Sequence, residues 1–102
     1  MQGWAEAELN LGYCYELGKG VQQDLGQAVV WYWYAANHGN ATAMYNLASC
    51  YEYGKGIQKN HDQAVLWISY SSMYGFEPAI EVMNQLNNGG TEIPDIVGSM
   101  DK

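Results

Sequence analysis

Residues 5–39 read AEAELNLGYCYELGKGVQQDLGQAVVWYWYAANHG, and residues 41–75 read ATAMYNLASCYEYGKGIQKNHDQAVLWISYSSMYG. The two stretches align without a gap and are identical at 17 of 35 positions, so the chain repeats itself every 36 residues. Self-similarity at such a period is the signature of a repeat architecture, in which neighbouring units stack on one another. The repeat therefore decides the fold.

Each unit has the pattern of two helices joined by a glycine turn. The first half of unit one carries apolar residues at helical spacing, which predicts a buried helix face. That face comprises Ala7, Leu11, Cys14 and Tyr15. The triplet Gly18-Lys19-Gly20 then ends the helix, because glycine adopts the left-handed conformation that helix ends require.

The second helix of each unit begins at a capping residue. Asp24 stands three residues before Gln27, which is the spacing of a capping box, and unit two repeats the arrangement with Asn60 and Gln63. The predicted buried face of this helix comprises Ala28, Trp31, Tyr32 and Ala35 in unit one, and Ala64, Trp67, Ile68 and Ser71 in unit two.

A third unit begins after Gly75 and then stops. Pro78 suits the first turn of a helix, where its missing N–H costs nothing, and an apolar stripe follows at helical spacing. The prediction is a domain over residues 1–88, with repeat one at 5–39, repeat two at 41–75 and a closing helix at 77–87.

The remaining residues, 89–102, form a C-terminal tail that is either flexible or docked. Disorder is common at chain termini. However, Ile93, Ile96 and Val97 place three branched aliphatic side chains within five residues. This favours partial docking of the tail as an extended peptide, on this chain or on a neighbouring copy.

The signature of the units resembles that of the Sel1-like repeat family, a relative of the tetratricopeptide repeats. In unit one the matching residues are Ala5, Ala7, Leu11, Gly12, Tyr15, Gly18, Gly20, Val21, Asp24, Ala28, Trp31, Tyr32, Ala35, Ala36 and Gly39. Unit two departs modestly, for example with Ala48 after Leu47 and Asn60 for the aspartate. The resemblance implies an all-α fold, an α-solenoid of two helix-turn-helix repeats plus the closing helix. It also implies a role as adaptor or scaffold, and it brings no catalytic residue with it.

By resemblance to the tetratricopeptide groove, the first helices of the units line a concave face that binds a protein or peptide. The residues predicted for this face are Glu6, Leu9, Tyr13, Glu16 and Leu17 in unit one, Thr42, Tyr45, Ser49, Glu52 and Tyr53 in unit two, and Glu81 and Gln85 in the closing helix. Tyrosine supplies rigid amphipathic contact area, which suits peptide recognition. The alternative is an ordinary surface, or one covered by the chain itself.

Trp33 lies outside the repeated pattern, because unit two has Ser69 at that position. An additional tryptophan predicts a contact with another chain, and the alternative is partial cover by neighbouring side chains. Repeat stacks usually need at least three units for stability, and this chain has two and a closing helix. A homo-oligomer formed through the open solenoid ends or through the tail is therefore a further prediction.

The charge of the chain excludes two classes of partner. Eleven carboxylates face four lysines and no arginine, which gives a net charge of −7. Nucleic-acid binding needs clustered Lys and Arg, and anionic lipid surfaces require the same. No stretch approaches the ~20 apolar residues of a membrane span, so a protein or peptide is the expected partner.

The two cysteines, Cys14 and Cys50, lie one repeat apart. Equivalent points on packed helices are roughly 8–10 Å apart, whereas a disulfide needs Cα atoms within about 7 Å. The spacing predicts two buried, free thiols. Free thiols, together with the lack of a signal-peptide pattern, favour the cytoplasm.

No grouping of side chains indicates catalysis, a cofactor or a metal. His38 and His61 are not repeat-equivalent, and no cluster has the spacing of zinc ligands. The paired carboxylates Glu16 and Glu52 are explained as copies of one position. The sequence predicts a non-enzymatic interaction module, with a structural self-assembling unit without a selective groove as the alternative. A hydrolase-type enzyme is favoured least.

Overall fold

The computed structural model describes residues 2–97, and within them the regular secondary structure is helical throughout. Five helices follow in chain order: α1 (Gln2–Leu17), α2 (Leu25–Asn37), α3 (Ala41–Tyr53), α4 (His61–Met73) and α5 (Glu77–Asn87). The predicted fold class, two helix-turn-helix units and a closing helix, is confirmed. Residues 98–102 of the predicted tail lie outside the described residues.

Short polar side chains fix where three of the helices begin. Asp24, Asn40 and Asn60 cap α2, α3 and α4, and each side-chain oxygen accepts a hydrogen bond from the backbone N–H three residues further on, at 3.1, 2.8 and 3.1 Å. These bonds satisfy donors that a helix start otherwise leaves unpaired. Helix α3 ends at Gly54, which has the left-handed φ of 67° that glycine tolerates.

The helices pack in the order in which they follow one another along the chain. One apolar cluster joins unit one to α3, and it contains Tyr32, Ala36 and Leu47 among its buried members. A second cluster joins α3, α4 and α5, and it also includes Ile93 from beyond the last helix. Each unit thus depends on its neighbour for a complete core, as expected for a repeat stack.

The buried face predicted for α1 is wrong in part. Ala7 and Leu11 are exposed, Leu11 to 38%, and the residues of α1 that are buried are Ala5, Leu9, Gly12 and Glu16. The repeat-equivalent Leu47 is fully buried because α2 packs on α3. Within the described residues, α1 packs substantially against α2 alone, so the corresponding side of α1 remains open.

Both cysteines are free, as the spacing predicted. Cys50 is buried, and burial together with the charge of Glu16 raises the pKa of its thiol to about 12. The prediction of two buried thiols is wrong for Cys14, which is only half-buried because it lies towards the open side of α1.

Candidate partner-binding face

Three hydroxyl-bearing side chains lie along one side of α3. Tyr45, Ser49 and Tyr53 are spaced four residues apart, which aligns them on a helix. They meet residues 91–97, here called the C-terminal segment. The Tyr53 hydroxyl donates to the carbonyl oxygen of Ile93 at 2.6 Å, and the Tyr45 hydroxyl donates to that of Pro94 at 2.8 Å. The Ser49 hydroxyl lies 3.5 Å from the same Pro94 oxygen.

The C-terminal segment is anchored by apolar side chains as well. Ile93 and Val97 are fully buried. Ile93 belongs to the same apolar cluster as Tyr45, Ala79 and Val82, so it fills space between α3 and α5. The segment therefore lies against the solenoid without being helical between residues 91 and 96.

A cluster of charged side chains holds the C-terminal segment at Asp95. The Lys55 ammonium donates to Oδ2 of Asp95 at 2.6 Å and also to Oε2 of Glu16. Glu16 is buried, and its other carboxylate oxygen accepts a hydrogen bond from the hydroxyl of Tyr32 at 2.9 Å. Lys55 thus connects unit one, unit two and the C-terminal segment. We call Tyr45, Ser49, Tyr53 and Lys55 together the docking face.

The turn after α3 positions Lys55. The Lys55 backbone N–H donates to the carbonyl of Cys50 at 2.9 Å, which closes the end of the helix. At the next residue, a side chain on Gly56 would place its Cβ 2.2 Å from the carbonyl oxygen of Leu25. Only glycine lets this turn approach the start of α2 so closely, and the approach brings Lys55 within reach of Glu16.

The surroundings of the docking face shift the pKa values of its titrating side chains. Burial raises the pKa of Tyr45 to about 12, and the nearby Tyr53 and Asp95 contribute to the rise. Burial also raises the pKa of Tyr53, assisted by Glu92 and Asp95. Burial alone would lower the pKa of Lys55, but hydrogen bonds to Asp95 and Glu16 raise it overall. At neutral pH the face therefore carries neutral phenols and a charged ammonium.

The residues predicted for the concave face differ widely in exposure. Those that are buried are Leu9, Glu16, Tyr45 and Ser49; those half-buried are Tyr13, Leu17, Thr42 and Glu52; those exposed are Glu6, Tyr53, Glu81 and Gln85. The structure brings Tyr45, Ser49 and Tyr53 together on the segment and links Glu16 to it through Lys55. Glu52 instead pairs with His61, at 2.7 Å between Oε1 and Nδ1.

Sequence reasoning missed Lys55, Asp95 and Tyr32 as members of this site. As the counterpart of Lys19, Lys55 is predicted from the sequence only as the middle residue of a helix-ending triplet. A signal was present, however, because both Glu16 and Lys55 recur in the repeat, and residues copied together are candidates for a pair across the junction. Tyr32 has Ile68 as its counterpart, so its hydroxyl carried no repeated signal.

Trp33 lies on a different surface. It is 47% exposed and packs edge-on against Tyr34, with ring centroids 5.5 Å apart. The two rings border an apolar cleft between α2, α3 and the turn after α3. The residues lining the cleft are Val29, Val30, Trp33, Tyr34, Leu47, Tyr51 and Ile57.

Among residues 2–97, no group of three or more His, Cys, Asp or Glu side chains is arranged to hold a metal ion. None of the helices described has the length and apolar character needed to cross a membrane.

Comparison with known proteins gives consistent matches to one family. The family model of the Sel1 repeat matches residues 5–40 and 41–73. A Sel1 repeat protein from Oxalobacter formigenes is 32% identical with a TM-score of 0.78, over 81% of this chain and 62% of that chain. A protective antigen present in uropathogenic Escherichia coli strains, displaying an SLR fold, is 33% identical with a TM-score of 0.79, over 94% of this chain and 21% of that chain.

The chain therefore spans less than two thirds of the length of either solved structure. None of the curated proteins matches it.

Proposed function

The chain belongs to the Sel1 repeat family, and on that premise we propose that it is an interaction module that binds an extended polypeptide through the docking face. Sel1 repeat proteins generally mediate protein–protein interactions and are typically non-enzymatic scaffolds. The proposal adds the binding face and the form of the partner.

The observation that supports this proposal is the seating of the C-terminal segment. Tyr45 and Tyr53 donate to consecutive main-chain carbonyls, those of Pro94 and Ile93. Every polypeptide offers such carbonyls, so these two contacts are available to a segment from another protein. Hydrogen bonds to the main chain supply affinity in peptide recognition, while neighbouring pockets supply specificity.

The repeat register extends the proposed face beyond α3. Leu9, Tyr13 and Leu17 of α1 are the counterparts of Tyr45, Ser49 and Tyr53, and Glu81 and Gln85 are those of Tyr45 and Ser49 in α5. A partner longer than the C-terminal segment would cross these positions. With a net charge of −7, the chain suits a polypeptide partner rather than a nucleic acid.

The test is a selection of peptides from a displayed random library. The bait is the full chain carrying Ile93→Asp, which places a carboxylate in a fully buried apolar position and so releases the C-terminal segment. Asp95→Lys, which opposes Lys55 with a like charge, serves as a second releasing variant if the first fails to fold. Selected peptides are then synthesised, and their binding is measured by fluorescence anisotropy.

In the Ile93→Asp background, the pair Tyr45→Phe and Tyr53→Phe keeps both rings and removes both hydroxyls. We expect it to weaken peptide binding at least tenfold, since two hydrogen bonds of about 1 kcal/mol each are lost. Trp33→Ser, which copies Ser69 of unit two, is the matched control and should leave binding unchanged. If selected peptides lose affinity only with Trp33→Ser, the binding site is instead the apolar cleft that Trp33 borders. A library without binders to either releasing variant would overturn the proposal.

Self-association is a second candidate function, and the open side of α1 favours it. Leu11, Tyr15 and Val21 are the counterparts of Leu47, Tyr51 and Ile57, which in unit two pack in or against the apolar cluster that includes α2. Leu11 is 38% exposed and Val21 39%. Analytical ultracentrifugation of the full chain and of Leu11→Glu tests this: a dimer that the variant abolishes supports it, and a monomer at all concentrations refutes it.

A further inference from the structure

We propose that the docking face selects segments in which an aliphatic residue, a proline and an aspartate follow one another, and that residues 93–95 are an internal competitor for such ligands. This inference rests on the function proposed above and names the partner class. It follows from the way each of the three residues is held.

The first position requires an apolar side chain. Ile93 has no exposed surface and belongs to the cluster that contains Tyr45, Ala79 and Val82. A charged or polar side chain in this place would be buried without a partner, which is strongly unfavourable. The site therefore discriminates against polar residues more than among aliphatic ones.

The second position suits proline for two reasons. Proline has no N–H, so no donor needs a partner when the segment lies against α3. It also biases the preceding residue towards an extended backbone, which reduces the entropy lost on binding. The Pro94 carbonyl meanwhile accepts from Tyr45 and lies within 3.5 Å of the Ser49 hydroxyl.

The third position requires an acid of a particular length. One oxygen of Asp95 accepts from Lys55 at 2.6 Å, and the other accepts from the backbone N–H of Val97 at 3.2 Å. The second bond is a local turn of the kind that Asp and Asn form with the backbone two residues on. Lys55 supplies the charge selection, and the turn favours aspartate over glutamate.

The C-terminal segment competes because it is tethered. It begins only a few residues after α5 ends at Asn87. A short linker gives the tethered segment an effective concentration on the order of millimolar. A ligand in solution must displace it, so the apparent affinity of the unmodified chain is lower than that of a chain whose segment has been released.

The experiment uses synthetic peptides as ligands in solution. A fluorescent, end-capped peptide with the sequence TEIPDIV, which copies residues 91–97, is titrated with the full chain and with its Ile93→Asp and Asp95→Lys variants. A second peptide, TEIPKIV, reverses the charge at the selected position. Both peptides are also titrated with Ile93→Asp combined with Lys55→Gln, and circular dichroism checks that each variant is folded.

We expect TEIPDIV to bind the releasing variants at least tenfold more tightly than it binds the unmodified chain. On the Ile93→Asp variant it should also bind at least tenfold more tightly than TEIPKIV, and Lys55→Gln should remove most of that difference. Equal binding of the two peptides, or equal affinity with and without release of the segment, would overturn the inference.

The two proposals fail differently. If library peptides of unrelated sequence bind and depend on Tyr45 and Tyr53 while TEIPDIV does not, the proposed function stands and the ligand class is wrong. If neither library peptides nor TEIPDIV bind a folded releasing variant, both are overturned.

Discussion

Unit one and unit two share almost half of their residues, yet the same residue has different surroundings in each. Leu11 is 38% exposed, whereas its counterpart Leu47 is fully buried. Glu16 is enclosed with Tyr32 and Lys55, whereas its counterpart Glu52 pairs with a half-exposed His61. Copying a sequence therefore reproduces the helices, while the position in the stack decides what each side chain contacts.

The units also differ on the side that meets the C-terminal segment. Unit two presents hydroxyls at Tyr45, Ser49 and Tyr53, where unit one has Leu9, Tyr13 and Leu17. In unit two, hydroxyl donors therefore lie where the main chain of the C-terminal segment docks. Three of the positions at which the copies differ thus lie on the docking face, and the following measurements test whether the two units differ in the way described.

The largest expected effect on stability concerns the leucine at the same repeat position in both units, Leu11 and Leu47. Leu47→Ala should lower the free energy of unfolding by about 2–5 kcal/mol, because it opens a cavity in a closed core. Leu11→Ala, made at a surface with few neighbours, should cost less than about 1 kcal/mol. Chemical denaturation of both variants measures the difference. Equal losses would mean that the open side of α1 is covered in solution.

The next effect concerns the contact between the helices of unit one. A Cβ on Gly12 would lie 2.3 Å from a ring carbon of Tyr32, whose ring is fully buried and fixed by its bond to Glu16. Gly12→Ala should therefore cost about 1–3 kcal/mol through overpacking.

Unit two provides the matched arrangement, with Ala48 and Ile68 buried at the corresponding positions. Adding Tyr32→Ile to Gly12→Ala should recover part of the loss, so the two changes should couple by at least about 0.5 kcal/mol in a double-mutant cycle. Strict additivity would contradict the contact.

A smaller effect is expected at the paired carboxylates. Glu16→Gln keeps the shape of the side chain but removes the charge that faces Lys55, and it should cost about 1–2 kcal/mol. Glu52→Gln affects a pair with a half-exposed histidine and should cost at most about 1 kcal/mol. Thermal unfolding at neutral pH compares the two, and a greater loss at Glu52 would reverse the assignment.

The smallest expected effect is a loss of stability that is absent at neutral pH and develops only at alkaline pH. The pKa of Tyr45 rises from its ordinary value of 10.0 to about 12, and that of Lys55 rises from 10.5. For groups whose pKa is raised on folding, the stabilisation is complete below the unfolded value and is lost as the pH passes through the folded value. Docking of the segment should thus persist to about pH 10 and weaken towards pH 12.

Leu9, the counterpart of Tyr45 in unit one, does not titrate, so this contribution is specific to the position in unit two. The measurement is the free energy of unfolding against pH for the unmodified chain and for Tyr45→Phe. The variant should show a shallower decline between pH 10 and 12. Identical curves would show that the Tyr45 hydroxyl is not held as described.

The helices could be predicted because their signals are local. Asp24, Asn60 and Gly54 fix helix ends through bonds and dihedral angles within a few residues. The exposure of Leu11 could not be predicted from its own repeat, since it depends on whether another helix packs beside α1. The contact of Lys55 with Asp95 joins residues that are 40 positions apart, and Asp95 lies outside the repeated sequence. Aliphatic residues near the end of the chain indicated docking, but not the side chains that receive them.

The bond between Glu16 and Lys55 has a consequence for engineering. The two residues are 39 positions apart, which is one repeat period plus three. Inserting extra copies of residues 41–76 would therefore regenerate the same glutamate–lysine spacing at every new seam. The pair would hold each added unit in the same register as the one before it. The number of copies could then be chosen by design, and with it the length of the array.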